Sequence, residues 1–330
     1  MLLFWSIIFI ISLAVLVKGA DWLLGSAEKI GLAIGLSPFI IGVTIVGIGT
    51  SCPELISSLM AVFKDVTEIV PANAIGSNIA NILLVVGISA IVGRRLIVTK
   101  SLIDLDLPLL AISTVLLLGI AWDRQITLGE SILLVAVYGV YLLYTVIHKE
   151  EESEEITEVL PSRPTRRKHL THPKKEIVKR PKINAKDFLL LIIGILGLVF
   201  GAKYLIDSVV KLSEILAIGA GVISLVAVAF GTSLPELLVS IKAAWQKKSE
   251  IALGNIFGSN VFNLLVVIGV PGLFKTLVLD EKTFSLGLPV LIVATFLFII
   301  SGISRRIHVW EGAMYLAVYI FFIGKLFGFL

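Results

Sequence analysis

The sequence predicts an all-α membrane protein whose ten transmembrane helices form two inverted five-helix repeats. Three observations lead there. Of 330 residues, 57% are hydrophobic and 16% charged, against roughly 45–50% and about 25% in a soluble domain; mean hydropathy is +1.01. Long apolar runs recur without the period-2 alternation of barrel strands, so they read as helices. One stretch of the chain also returns in altered form 182 positions later (231 − 49 = 182).

A bilayer-spanning helix takes about 20 apolar residues. The first run, Leu2–Leu24, lacks the basic start and the cleavage-like site of a signal peptide and is expected to be retained. Pro38–Phe63, Val70–Val92, Leu102–Trp122 and Leu128–Ile147 follow. The second set is Phe188–Val209, Ile218–Trp245, Ile251–Phe274, Phe284–Ser301 and Val309–Phe329. The expected division is therefore a first repeat at 1–147, a polar linker at 148–186 and a second repeat at 187–330. The linker is acidic first and basic later, with eleven Lys and Arg, and reads as a solvated segment. Positive charge marks the cytoplasmic side. Lys29, Arg94, Arg95, Lys100, Lys247, Lys248, Arg305 and Arg306 fall on that same side. Five helices precede the linker, so both termini are expected outside the cell, in its plasma membrane.

The remaining charges narrow the function. The net charge of +4 sits mainly in loops and reads as topology, not as nucleic-acid binding. Lys18, Asp21 and Glu28 near the first helix, Lys203 and Asp207 on the sixth, and Asp104 and Asp106 before the fourth read as interfacial or snorkelling side chains. One cysteine, Cys52, rules out an intrachain disulfide framework and is expected to pack as a small apolar residue. The four histidines lie at 148, 169, 172 and 308, with no His–Cys cluster for a soft metal. No phosphate-binding loop or ATP signature is present. A non-enzymatic protein without a cofactor, driven by an ion gradient and acting as a monomer, is the expectation.

The repeat settles the expected architecture. From Gly49 to Ala90, 18 of 42 residues match their partners at 231–272, and the matches include Gly, Pro, Glu, Asn, Ser and Thr. Five spans per copy is an odd number, so the copies must sit in opposite orientations. Inverted repeats of this kind build transporters, with sites near the midplane on interrupted helices.

Two motifs occur in both copies. G-T-S-x-P-E-L is Gly49–Leu55 and Gly231–Leu237. Proline removes one helical hydrogen bond and pushes away the carbonyl four residues back, freeing backbone oxygens beside Thr50, Ser51 and Glu54, and beside Thr232, Ser233 and Glu236. Carboxylate, hydroxyl and carbonyl oxygens are hard ligands, suited to sodium and calcium. The second motif, N-x-x-G-S-N-x-x-N, gives Asn73, Ser77 and Asn81 one helical face, and Asn255, Ser259 and Asn263 another. Gly76 and Gly258 are expected to let helices approach closely. Single polar residues in membrane helices often only bind neighbouring helices. A carboxylate at bilayer depth is different: its cost makes it a functional hypothesis by default.

At these residues the chain resembles the calcium/cation antiporter superfamily, specifically the prokaryotic sodium/calcium exchangers. The resemblance spans nearly the whole chain. It implies four cation sites in a diamond, one favouring calcium and the others sodium. The implied side-chain ligands are Thr50, Ser51, Glu54 and Ser77 with Thr232, Ser233, Glu236 and Ser259. Gly47 and Ala229 would lend backbone carbonyls. Asn81 and Asn263 would sit at the equatorial site. Some archaeal relatives and the potassium-dependent exchangers carry Asp at the place of Asn263, so Asn there weakens an equatorial cation site and argues against potassium coupling. Thr-Ser in the first motif argues against the proton/calcium branch, which remains the alternative reading. A cation channel is the alternative of a different class.

Overall fold

The computed structural model describes residues 1–98, 106–147, 181–216 and 233–329. Helices there are α1 (Leu2–Ala33), α2 (Pro38–Phe63), α3 (Ile69–Gly93), α4 (Leu107–Asp123) and α5 (Leu128–Ile147). After the linker come α6 (Ala185–Ile215), α7 (Leu234–Trp245), α8 (Ser249–Gly272), α9 (Thr283–Ile303) and α10 (Val309–Leu326). Seven of them, α1, α2, α3, α6, α8, α9 and α10, are long and apolar enough to cross a membrane. The described part of α7 is the second half of the expected Ile218–Trp245 run; its first half lies outside the described residues, as do Asp104, His148, His169 and His172.

Four short strands, expected by no sequence pattern, tie the ends of the helices together. β1 (Arg95–Ile97) pairs antiparallel with β4 (Arg306–His308), and β2 (Gln125–Ile126) with β3 (Leu277–Val278). Their registers obey the sequence offset. Arg95 faces His308; adding 182 to one and subtracting it from the other gives 277 and 126, and Leu277 faces Ile126. Leu96 facing Ile307 maps in the same way onto Val278 facing Gln125. Leu96, Ile307, Leu277 and Ile126 are all fully buried. That burial closes each ladder with an apolar plug where the polar backbone must turn.

α8 is buried along its whole apolar length and α3 along most of its own, whereas α1 and α6 are largely exposed. Most of their exposed side chains are apolar, among them Ile7, Ile10, Ile11, Phe188 and Ile192. α1 and α6 pack on each other at backbone range: a Cβ on Gly19 would lie 2.9 Å from the Gly194 carbonyl oxygen.

α1 and α6 run to 32 and 31 residues, about 48 Å at 1.5 Å per residue, so neither fits upright in a hydrocarbon core of about 30 Å. Asp21 and Glu28, read from the sequence as interfacial or snorkelling, are ion-paired in the structure. Asp21 pairs with Lys242 on α7, and Glu28 with Lys248 just before α8 at 2.5 Å. Lys29 pairs with Asp187 at the start of α6 at 2.7 Å. Asp106 is buried within the protein.

Candidate cation site

The site is built on α2, α3, α7 and α8. α2 breaks at Ser51, whose backbone (φ −88°, ψ 4°) leaves the helix before Pro53 restarts it at Cys52–Phe63. α7 starts after Ser233 with nearly the same geometry (φ −92°, ψ 11°), again with Pro one residue into the helix. Proline suits the first helical turn, where its missing N–H is not needed. In α3 and α8 the ladder widens into π-helical turns at Ala80–Val85 and Asn263–Val267, at Asn81 and its counterpart. Such bulges gather at functional positions.

α2 and α8 cross at backbone contact. A Cβ on Gly258 would lie 2.1 Å from the Val43 carbonyl oxygen, so only glycine allows the approach. The approach delivers Ser259 to α2: its hydroxyl donates to the Gly47 carbonyl at 3.2 Å. Thr50 donates to the Asn255 Oδ1 at 3.0 Å and lies 3.3 Å from the Ser259 hydroxyl. The counterpart glycine does otherwise. A Cβ on Gly76 would meet nothing within 4 Å, because Gly76 borders a cavity of about 400 Å³ lined also by Lys282, Thr283, Tyr319 and Phe322. The expected close approach at Gly76 is therefore absent; the motif's glycine works in one copy only.

Every described candidate ligand is buried: Thr50, Ser51, Glu54, Ser77 and Asn81 from the first copy, Ser233, Glu236, Ser259 and Asn263 from the second. Ser51 donates to the Glu236 Oε1 at 3.0 Å, so a hydroxyl of one copy meets the carboxylate of the other. Ala229 and Thr232 lie outside the described residues. Glu54 is 1% exposed, yet among the described residues neither carboxylate oxygen has a hydrogen-bond partner; the same holds for the Glu236 Oε2, the Ser233 hydroxyl and both amide atoms of Asn81 and of Asn263. A buried polar atom left unpaired costs about 1–3 kcal/mol, and more when charged. No Lys or Arg pairs with either Glu among the described residues. Rich in oxygen, with two carboxylates and several buried oxygens left unpaired among the described residues, this set is chemically fit to take hard cations.

Residues quoted in the second motif but not assigned as ligands brace the site. Asn255 donates to the Ser240 hydroxyl (2.8 Å) and the Glu236 carbonyl (3.4 Å). At the same offset, Asn73 donates to the Ser58 hydroxyl (3.2 Å) and the Glu54 carbonyl (3.4 Å). Each Asn thus anchors the helix turn that carries a Glu. Asn78 and Asn260, themselves 182 apart, meet directly: the Asn78 Nδ2 donates to the Asn260 carbonyl at 3.0 Å. The four-residue spacing of the polar stripe was the signal for the bracing role of Asn73 and Asn255. Cys52 is half-buried, and its thiol donates to the Ile48 carbonyl at 3.2 Å.

Comparison with known proteins supplies an independent line. The sequence model of the family described as sodium/calcium exchanger protein matches residues 4–147 and 186–327. The chain is 33% identical to the sodium/calcium exchanger MaX1 of Methanosarcina acetivorans, over 97% of this chain and 98% of the relative. It is 30% identical to the inner membrane protein YrbG of Escherichia coli, over 88% and 86%. Among solved structures, the sodium/calcium exchanger from Methanococcus jannaschii superposes with a TM-score of 0.78 at 30% identity, covering 98% of this chain and 99% of that one.

Proposed function

The chain belongs to the sodium/calcium exchanger family, a family of membrane-embedded cation antiporters, and from that premise we propose that it exchanges sodium for calcium by alternating access. The observation that carries the reading is the pair of buried carboxylates, Glu54 and Glu236, three of whose four oxygens have no hydrogen-bond partner and neither of which pairs with a Lys or Arg among the described residues. Thr50, Ser51, Ser77, Asn81, Ser233, Ser259, Asn263 and the Gly47 carbonyl complete the proposed site, with Thr232 and the Ala229 carbonyl from outside the described residues.

With both carboxylates ionised the site carries a charge of about −2. One calcium ion neutralises that charge, and several sodium ions do the same. Calcium gains more from two carboxylates, while sodium in excess competes through the same oxygens. Carrying the doubly negative site through a closed, dehydrated state is costly. That cost suppresses leak and couples the two fluxes.

The division into 1–147, 148–186 and 187–330, with the two halves in opposite orientations, is part of this proposal. The offset registers of the two strand ladders and the matched Asn73 and Asn255 braces support it. The basic linker lies in the cytoplasm and both termini outside the cell, at the plasma membrane. Exposed Trp245 and Trp310 on the linker side and Trp122 on the other fit interfacial belts. One monomer holds the whole site.

Calcium uptake into proteoliposomes, with sodium, potassium and proton gradients imposed one at a time, tests the reading. Uptake driven by the sodium gradient alone is expected. Uptake driven only by protons would replace it with a proton/calcium exchanger, and conductance without coupling would replace it with a channel.

A further inference from the structure

The two ends of the molecule carry differently placed ion pairs. On the linker side, α1 is pinned to α7 and to the turn before α8 by Asp21–Lys242 and Glu28–Lys248. Moving each residue by the repeat offset gives the equivalent contacts at the opposite end. Asp21 becomes Lys203 and Lys242 becomes Met60; Glu28 becomes Val210 and Lys248 becomes Val66. Neither pair of ions survives the mapping, and no ion pair joins α6 to α2 among the described residues. Residues 217–232 contain no charged side chain, so that stretch adds none. The third linker-side pair, Lys29–Asp187, joins α1 to α6 and holds those two helices to each other, not to the site-bearing helices.

We propose that Asp21–Lys242 and Glu28–Lys248 form an electrostatic latch that selectively stabilises the state closed on the linker side. The proposal rests on the alternating-access reading, in which each end of the site must open in turn. Opening the linker-side end separates α1 from α7 and α8 and breaks two charge pairs; at the other end the ion pairs among the described residues, Arg124–Glu281 and Lys275–Asp65, join loops of the remaining helices to one another, and none holds α6. The asymmetry biases the resting equilibrium, and a ligand arriving from the linker side sees an affinity reduced by the fraction of molecules open to it. The four side chains are each about a quarter to a third exposed, so salt reaches and weakens the latch.

The test neutralises the latch in full-length protein with the quadruple variant Asp21→Asn, Lys242→Met, Glu28→Gln, Lys248→Gln. Vesicles of defined sidedness report the half-saturating calcium concentration at each face. Loss of two partly exposed pairs is expected to lower it at the linker face by about fivefold, with a smaller change at the other face. The wild type, but not the variant, should move the same way when ionic strength is raised with choline chloride. A second readout needs no transport: in a Cys52→Ala background, Ser26→Cys on α1 is labelled from the linker face by a membrane-impermeant maleimide. Labelling should quicken in the neutral variant and return to the wild-type rate in the charge-swapped Glu28→Lys, Lys248→Glu pair. Unchanged labelling and unchanged half-saturation in the neutral variant, or no recovery on swapping, would overturn the latch. Absence of coupled flux in the wild type would sink the exchange reading while the labelling experiment still judged the latch.

Discussion

Gly258→Ala should disable the protein, while the same change at its repeat counterpart, Gly76→Ala, should not. The Cβ added at Gly258 would lie 2.1 Å from the Val43 carbonyl oxygen and 2.7 Å from the Val43 carbonyl carbon. Carbon atoms are not found closer than about 3 Å to such an oxygen, so α8 must retreat from α2 by about 0.9 Å (3.0 − 2.1) at that point. Backbone blocks the way on both sides, so no side chain can swing aside. Three contacts cross the same interface within two turns: Thr50 to Asn255 at 3.0 Å, Ser259 to the Gly47 carbonyl at 3.2 Å, and Thr50 to Ser259 at 3.3 Å. A retreat of that size takes all of them out of hydrogen-bonding range. At about 1 kcal/mol each, with about 1–3 kcal/mol for overpacking, the loss is roughly 4–6 kcal/mol. At Gly76 the new methyl enters open space, and replacing a helical glycine by alanine gains up to about 1 kcal/mol. Thermal unfolding in detergent and sodium-driven calcium uptake should therefore diverge between the two variants. A Gly258→Ala protein as stable and active as the wild type would refute the argument that backbone contact between α2 and α8 assembles the site.

Three further outcomes are expected. Glu54→Gln or Glu236→Gln should abolish sodium-driven calcium flux in vesicles while leaving the protein folded, because the isosteric amide removes charge but little volume; exchange at the wild-type rate in both variants would end the site assignment. Asn255→Ala, which loses its contacts to Thr50, Ser240 and the Glu236 carbonyl, should lower stability by about 2–3 kcal/mol, read by chemical denaturation. Asn73→Ala, partly exposed and tied to one copy only, should cost less; equal losses would count against the bracing role. Asn263→Asp should alter chiefly the equatorial site and the pH dependence of exchange, and a complete stop would show that Asn263 does more than that.

What the sequence showed and what it hid divide along physical lines. The two copies of the Glu motif were legible because a carboxylate in an apolar run is expensive and its repetition cannot be compositional. The offset of 182 was legible for the same reason, and it carries through to the strand registers. The strands themselves, two or three residues long, have no periodicity to read. Hydropathy marks where a helix enters lipid, not where it ends in protein, so α1 extends to Ala33 beyond the expected Leu24. Its charged turn became an ion-paired contact only once α7 and α8 were placed beside it. The motif also concealed a difference: Gly76 and Gly258 hold the same motif position, yet one faces a cavity and the other a carbonyl. Packing across helices decides that, and no local pattern encodes it.

The paired ladders also constrain how the molecule is made. Leu96 waits for Ile307, 211 residues on (307 − 96), and Gln125 waits for Val278, 153 residues on (278 − 125). At about 5–20 residues per second of synthesis, the first of these gaps lasts roughly 10–40 seconds. During that time a nascent first half has inserted its helices but carries an unmatched strand edge at each end. Its Glu54 and Ser51 lack the helices that would surround them. The ladders are nested, not consecutive: the inner one can close first, and the outer one closes only after β4 has been made. A released chain truncated between β3 and β4 would thus hold one ladder and lack the other.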